Sequence, residues 1–148
     1  MQVPGDLRFV GDDNHTREAF RIDQPVAALV KDLKQRGMLE DTLVTFTTEF
    51  GRTPFTQSDP NEVGAGRDHN NAGFSCWMAG AGCKPGIAYG QTDEIGFAAV
   101  QNRVNWHDFH ATLLHQFGID HTSLTYYHNG IERRLTNVHG NVVRGLLR

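Results

Sequence analysis

Residues 42–54, TLVTFTTEFGRTP, read as an apolar, β-branched strand that runs into a turn and leaves Glu49 and Arg52 at its mouth. Leu43 to Thr47 is too continuous in character for the one-sided strand of an exposed hairpin, so a buried strand of an α/β sheet is expected there. Ligands of open α/β sheets gather at the carboxyl ends of the strands. A carboxylate and a guanidinium at such an end therefore mark a candidate site.

The segments on either side fit the same class. Upstream, DQPVAALVKDLKQR (23–36) spaces Val26, Leu29, Val30 and Leu33 as one helical face, with Asp23 as N-cap, Pro25 in the first turn and Gly37 as the stop. Residues 1–22 read as an irregular N-terminal segment. Downstream, Gly51 to Gly73 is rich in Gly, Asn, Asp, Pro and Arg and reads as a long loop. FSCWMAG (74–80) reads as a second short buried strand. WHDFHATLLHQFGI (106–119) reads as a helix with Phe109, Leu113 and Phe117 on its apolar face and Gly118 at its end. Asn129-Gly130, between two β-like runs, predicts a hairpin. No internal repeat is visible.

Composition narrows the function classes. The chain has 148 residues, 39% hydrophobic and 21% charged, which is enough for a single domain with a core. A net charge of -3 and only 14 scattered Lys and Arg residues argue against a nucleic-acid partner. The N-terminal MQVPGDLRFVGDDNHT lacks a basic region followed by an apolar run, and no stretch is long and apolar enough for a bilayer span. No membrane partner is expected, and the chain as written carries no export signal. Cys76 and Cys83 match neither a CxxC redox pair nor a zinc knuckle and are expected to be reduced, partly buried thiols.

Eight histidines raise the question of a metal. His107, His110 and His115 fall on or beside the second helix with only Asp108 as a nearby carboxylate; His121 and His128 read as surface residues, and His139 is ambiguous. Two stretches are better candidates. GDDNHT places Asp13 and His15 two apart, and GRDHNN gathers Arg67, Asp68, His69 and Asn70 after Glu49. Carboxylates and imidazoles suit zinc, manganese or a similar divalent ion. Polar loop residues and turn caps have the same composition, and Glu49 paired only with Arg52, or Asp68 capping a turn, would explain the pattern without a ligand.

EDTLVTFTTEFGRTP, GRDHNNAGFSCWMAGAGCKPGIAYGQTDEIGF and VNWHDFHATLLHQFGIDHTSLTYYHNGIERRLTNVHG, in this order, resemble the C-terminal part of a sulfatase-like family, domain of unknown function 1501, placed in the alkaline phosphatase superfamily. The resemblance runs over residues 23–140. It implies an α/β fold, the C-terminal portion of an alkaline-phosphatase-like three-layer sandwich whose N-terminal half is absent here. It also implies a metal-dependent hydrolase of sulfate or phosphate esters, small-molecule or glycan, in the full-length protein.

Laid onto this chain, the resemblance makes Glu49 a metal-ligating carboxylate, with His69, Asp13 and His15 as further ligands of zinc, manganese or calcium. Arg52, Arg67 and Asp68 fall to substrate binding. Phe50 stands where the related enzymes carry a ligand, and Asp12 stands where the family's Trp-Asp-x-His segment has tryptophan. No Ser, Thr or Cys sits in a recognisable nucleophile motif, so the chain alone is expected to be inactive. A missing N-terminal half or self-association would complete it, and full-length members of such a family can be exported. The alternative is a degenerate, non-catalytic α/β scaffold used for binding or assembly.

Overall fold

The computed structural model describes residues 13–58, 61 and 66–148, with side chains from Thr16 onward. The chain is mixed α/β: two α-helices and eight short strands, joined in four two-stranded antiparallel sheets among the described residues.

Helix α1 covers Asp13–Gln35, so it starts at Asp13 rather than at the expected Asp23 cap, and Pro25 lies inside it. Residues 13–22, expected to be irregular, are therefore helical, and residues 1–12 lie outside the described residues. Arg17, Glu18, Ala19 and Arg21 are good helix formers, and Arg21 bonds Glu18 at 2.7 Å across i,i+3. Gly37 ends the helix as expected, at φ 71, where only glycine is unstrained. The helix meets little except the 3-10 turn Met38–Glu40, and Phe20 and Leu29 remain 61% and 50% exposed. Among the described residues, no helix is long and apolar enough to cross a membrane.

Strand β1, Leu43–Phe46, forms where its β-branched run predicts, but it is not the buried strand of a wide sheet. It pairs antiparallel with β4, Trp77–Gly80, and Thr45 and Phe46 are exposed. Its cross-strand partners Phe46 and Trp77 stack at 5.8 Å. The expected loop between Gly51 and Gly73 is corrected further. It contains β2, Gly51–Thr56, and β3, Arg67–Asn70, paired with Arg52 opposite His69 and an irregularity before Thr56. Pro54 falls in that irregular stretch, where an absent N–H costs no ladder bond.

Strands β5 (Gln91–Thr92) and β6 (Ala99–Gln101) form a small hairpin; β7 (Thr125–His128) and β8 (Ile131–Arg134) form another. In the second, Asn129 at φ 50 and Gly130 at φ 79 make the tight turn that Asn-Gly predicts.

Helix α2, Trp106–Gln116, anchors the best-packed part. Asn105 caps it in a capping box with Asp108. The buried positions are Asp108, Phe109, Ala111 and Thr112, whereas Phe117, expected on the apolar face, is 68% exposed. The reason is polar: the helix docks on the C-terminal segment through hydrogen bonds as much as through apolar contact. Asn141 N–H donates to Asp108 Oδ1 at 2.7 Å, and Val143 N–H to the hydroxyl of Thr112 at 2.9 Å. Cys83 is buried and bridges to Leu147, while Cys76 is exposed; both thiols are free.

Candidate functional site

The bend that follows β1 is set by its threonines. Thr48 Oγ1 donates to the carbonyl of Phe50 at 2.8 Å, turning the chain so that Glu49 leads directly into β2. The indole of Trp106, at the start of α2, reaches the Glu49 carbonyl at 3.4 Å and ties the bend to that helix. Gly51 then passes against residues 73–74: a Cβ at Gly51 would meet the Gly73 carbonyl oxygen and lie 3.0 Å from Phe74 Cβ.

Between these segments lies a cleft of about 540 Å³, a size ordinary for a small-molecule site. Glu49, Arg52 and Arg67 line it together with Phe74, Ser75 and Thr92. Its wall at residues 92–96 is held by Asp93, whose carboxylate accepts from Phe97 N–H at 2.7 Å and Ala98 N–H at 2.9 Å. Buried Asn70 fastens β3 to the same turn, donating from Nδ2 to the Phe97 carbonyl at 2.6 Å and accepting from Ala72 N–H at 3.0 Å.

Two cations and one carboxylate face one cleft in a chain of net charge -3. Among the described residues no ion pair joins Glu49 to either arginine. Arg52 instead bonds the carbonyl of Arg67 from Nη1 at 3.2 Å and sits 5.7 Å from the centre of the Phe50 ring. This leaves most of the guanidinium's five donors for a ligand. Planar guanidinium groups match the oxygens of sulfate and phosphate in a fork. The arrangement suits a small anion.

The other residues singled out by sequence are not all brought to the cleft. His69 and Asp68 lie on β3 beside it but outside its lining. The His69 ring packs on Phe50 at 4.1 Å, and the Asp68 carboxylate accepts from the His69 N–H at 2.7 Å. Asp13 and His15 fall in the first turn of α1, and their side chains lie outside the described residues. Among the described residues no three His, Cys, Asp or Glu side chains converge as metal ligands. Glu49 and His69 are two donors where a structural or catalytic zinc takes three or four protein ligands.

Phe74, Ser75 and Thr92 also line the cleft, and little in their sequence context marks them for it. FSCWMAG carries a strand signal that hides the cleft-facing start of the segment, and the Asp93 turn in QTDEIGF marks a bend without saying what it faces.

A family model described as Protein of unknown function (DUF1501) matches residues 11–147. The chain belongs to this family. The match takes in every segment that builds the DUF1501 chain's cleft, from the bend at Thr48 to the wall at Gly96. No curated protein and no solved structure matches the chain.

A second, more open hollow of about 630 Å³ lies along α1 at Thr16, Arg17, Phe20 and Arg21. Among the described residues, its lining comes from that helix alone.

Proposed function

We propose that this DUF1501 chain is the C-terminal part of a sulfatase-like or phosphatase-like ester hydrolase, and that its cleft receives the oxyanion of a sulfate or phosphate ester. The convergence of Arg52 and Arg67 with Glu49 carries this reading. Guanidinium groups beside a transferring sulfuryl or phosphoryl group stabilise the charge that builds on its oxygens. The nucleophile is assigned to no residue of this chain. The alkaline-phosphatase-like sandwich belongs to the same reading, with a further polypeptide segment or a second copy covering the apolar residues that α1 exposes. A divalent zinc, manganese or calcium ion would draw on Glu49 and His69, with Asp13 and His15.

Calorimetric titration with inorganic sulfate and phosphate tests the site. Arg52→Ala and Arg67→Ala are each expected to weaken binding about tenfold, the loss of one charge-assisted contact. Unchanged affinity in both variants would sink the reading. In parallel, the isolated chain is expected to turn over neither aryl sulfates nor aryl phosphates, with or without added zinc, manganese or calcium, because positioning without a nucleophile leaves the chemical step unassisted. Turnover lost on Glu49→Ala would show that the chain is complete as a catalyst.

A second reading, a non-catalytic scaffold for binding or assembly, is favoured by Phe50, which stands where the related enzymes carry a ligand and packs its ring on His69 at 4.1 Å. Metal analysis after dialysis separates the two: stoichiometric metal lost on Glu49→Ala favours the hydrolase, and none favours the scaffold.

A further inference from the structure

An aromatic wall stands beside the two arginines. Phe74 lines the cleft and is 37% exposed, yet it is not a loose surface ring. It packs on Trp106 at 5.4 Å, and Trp106 packs edge-on against Phe109 at 5.3 Å, which is 7% exposed. A ladder of three rings thus runs from the core to the cleft. The Trp106 indole is fixed again by its hydrogen bond to the Glu49 carbonyl. Phe50, on the same cleft, is held by His69. A lone exposed phenylalanine is unremarkable on a protein surface. One braced from the core and placed beside an anion site is a pre-ordered contact, and pre-ordering lowers the entropy lost on binding.

We infer that Phe74 forms a subsite for the ring that carries the anionic group, so that the cleft selects sulfate or phosphate esters of rings that present an apolar face, sugar or aryl, over those of short alkyl chains. This rests on the anion-binding reading above and adds which ester is chosen. Arg52 and Arg67 hold the charged oxygens; Phe74 takes the face of the ring. Ser75 and Thr92, also on the cleft, place hydroxyl groups within the same lining, where the polar edge of a sugar would meet them. Contacts between ring faces add to simple area burial.

The test titrates the chain with inorganic sulfate, methyl sulfate, glucose 6-sulfate and 4-nitrophenyl sulfate at one ionic strength. Either ring ester is expected to bind about tenfold tighter than methyl sulfate, and whichever gains more identifies the ring as sugar or aryl. Phe74→Leu, which keeps apolar volume and removes the flat face, is expected to bring the ratio of ring-ester to methyl sulfate affinity from about tenfold to near one, and a ratio that stays near tenfold overturns the subsite; a thermal melt confirms that the variant is folded. Equal binding of methyl sulfate and both ring esters to the parent chain overturns the ring subsite and leaves the anion site standing. Failure of inorganic sulfate and methyl sulfate to bind overturns the anion site itself.

Discussion

Asp108→Ala is expected to lower the unfolding free energy by about 3 kcal/mol, a large share of the roughly 5–15 kcal/mol typical of a domain. Asp108 is 8% exposed and does three things at once. Its carboxylate completes the capping box at the start of α2, and the same carboxylate holds both the backbone N–H and the side-chain amide of Asn141, at 2.7 and 3.3 Å. Alanine removes a cap interaction of about 1 kcal/mol and leaves the Asn141 N–H without its charged acceptor, a further 1.5–3 kcal/mol or so. Asp108→Asn keeps the volume and one acceptor oxygen and is expected to cost about half as much. Urea unfolding of the three proteins checks this. A loss below about 1 kcal/mol for alanine would mean that α2 and the 141–143 segment are not joined as described. The site feels the same change, because Trp106, two residues before Asp108, braces Phe74 and the Glu49 carbonyl.

What the sequence disclosed was local. Asn129-Gly130 dictates its own turn through two positive φ angles, and Gly37 stops α1 for the same reason. The β-branched run at 43–46 makes a strand wherever it finds a partner, so β1 was legible while its partner and its exposure were not. Helix α2 was legible from periodicity, but the face it buries is set by Asn141 and Val143, about thirty residues away, through hydrogen bonds to Asp108 and Thr112. Periodicity carries no trace of such bonds. For the same reason Phe117 looked like core.

The hairpin β2–β3 was hidden by its own composition. Gly51, Pro54 and the Arg-Asp-His-Asn run are turn formers by propensity, and their pairing with each other, the tie of Asn70 to Phe97 and that of Arg52 to the Arg67 carbonyl hold them extended. The charged members of the cleft, Glu49, Arg52 and Arg67, stood out in sequence because charge next to an apolar strand is conspicuous. Its uncharged wall did not, because Phe74 and Thr92 come from segments whose meeting depends on the β5–β6 turn and on the close pass at Gly51.

That close pass supplies the second large effect. Gly51→Ala is expected to destabilise the protein by about 3 kcal/mol and to abolish sulfate binding together with it. Gly51 is not in the left-handed region, so backbone strain plays no part. Two opposing terms decide the sign. Removing a glycine restricts the unfolded chain and would stabilise by about 0.4–1 kcal/mol if the new methyl had room. It has none: the added Cβ would meet the Gly73 carbonyl oxygen and stand 3.0 Å from Phe74 Cβ and 3.2 Å from the Asn70 carbonyl. Two of these three are backbone atoms, which cannot rotate away as a flexible side chain would. Relief requires β2 to separate from residues 73–74, and that movement carries Arg52 away from the wall that holds Phe74, opening the cleft. Gly66→Ala is the control, since among the described residues nothing lies within 4 Å of its added methyl, and it is expected to change stability by less than about 0.5 kcal/mol. Chemical unfolding and sulfate titration of both variants measure the two halves of the prediction. If Gly51→Ala matches Gly66→Ala in both, β2 does not press on residues 73–74, and the two arginines and the aromatic wall do not share a cleft.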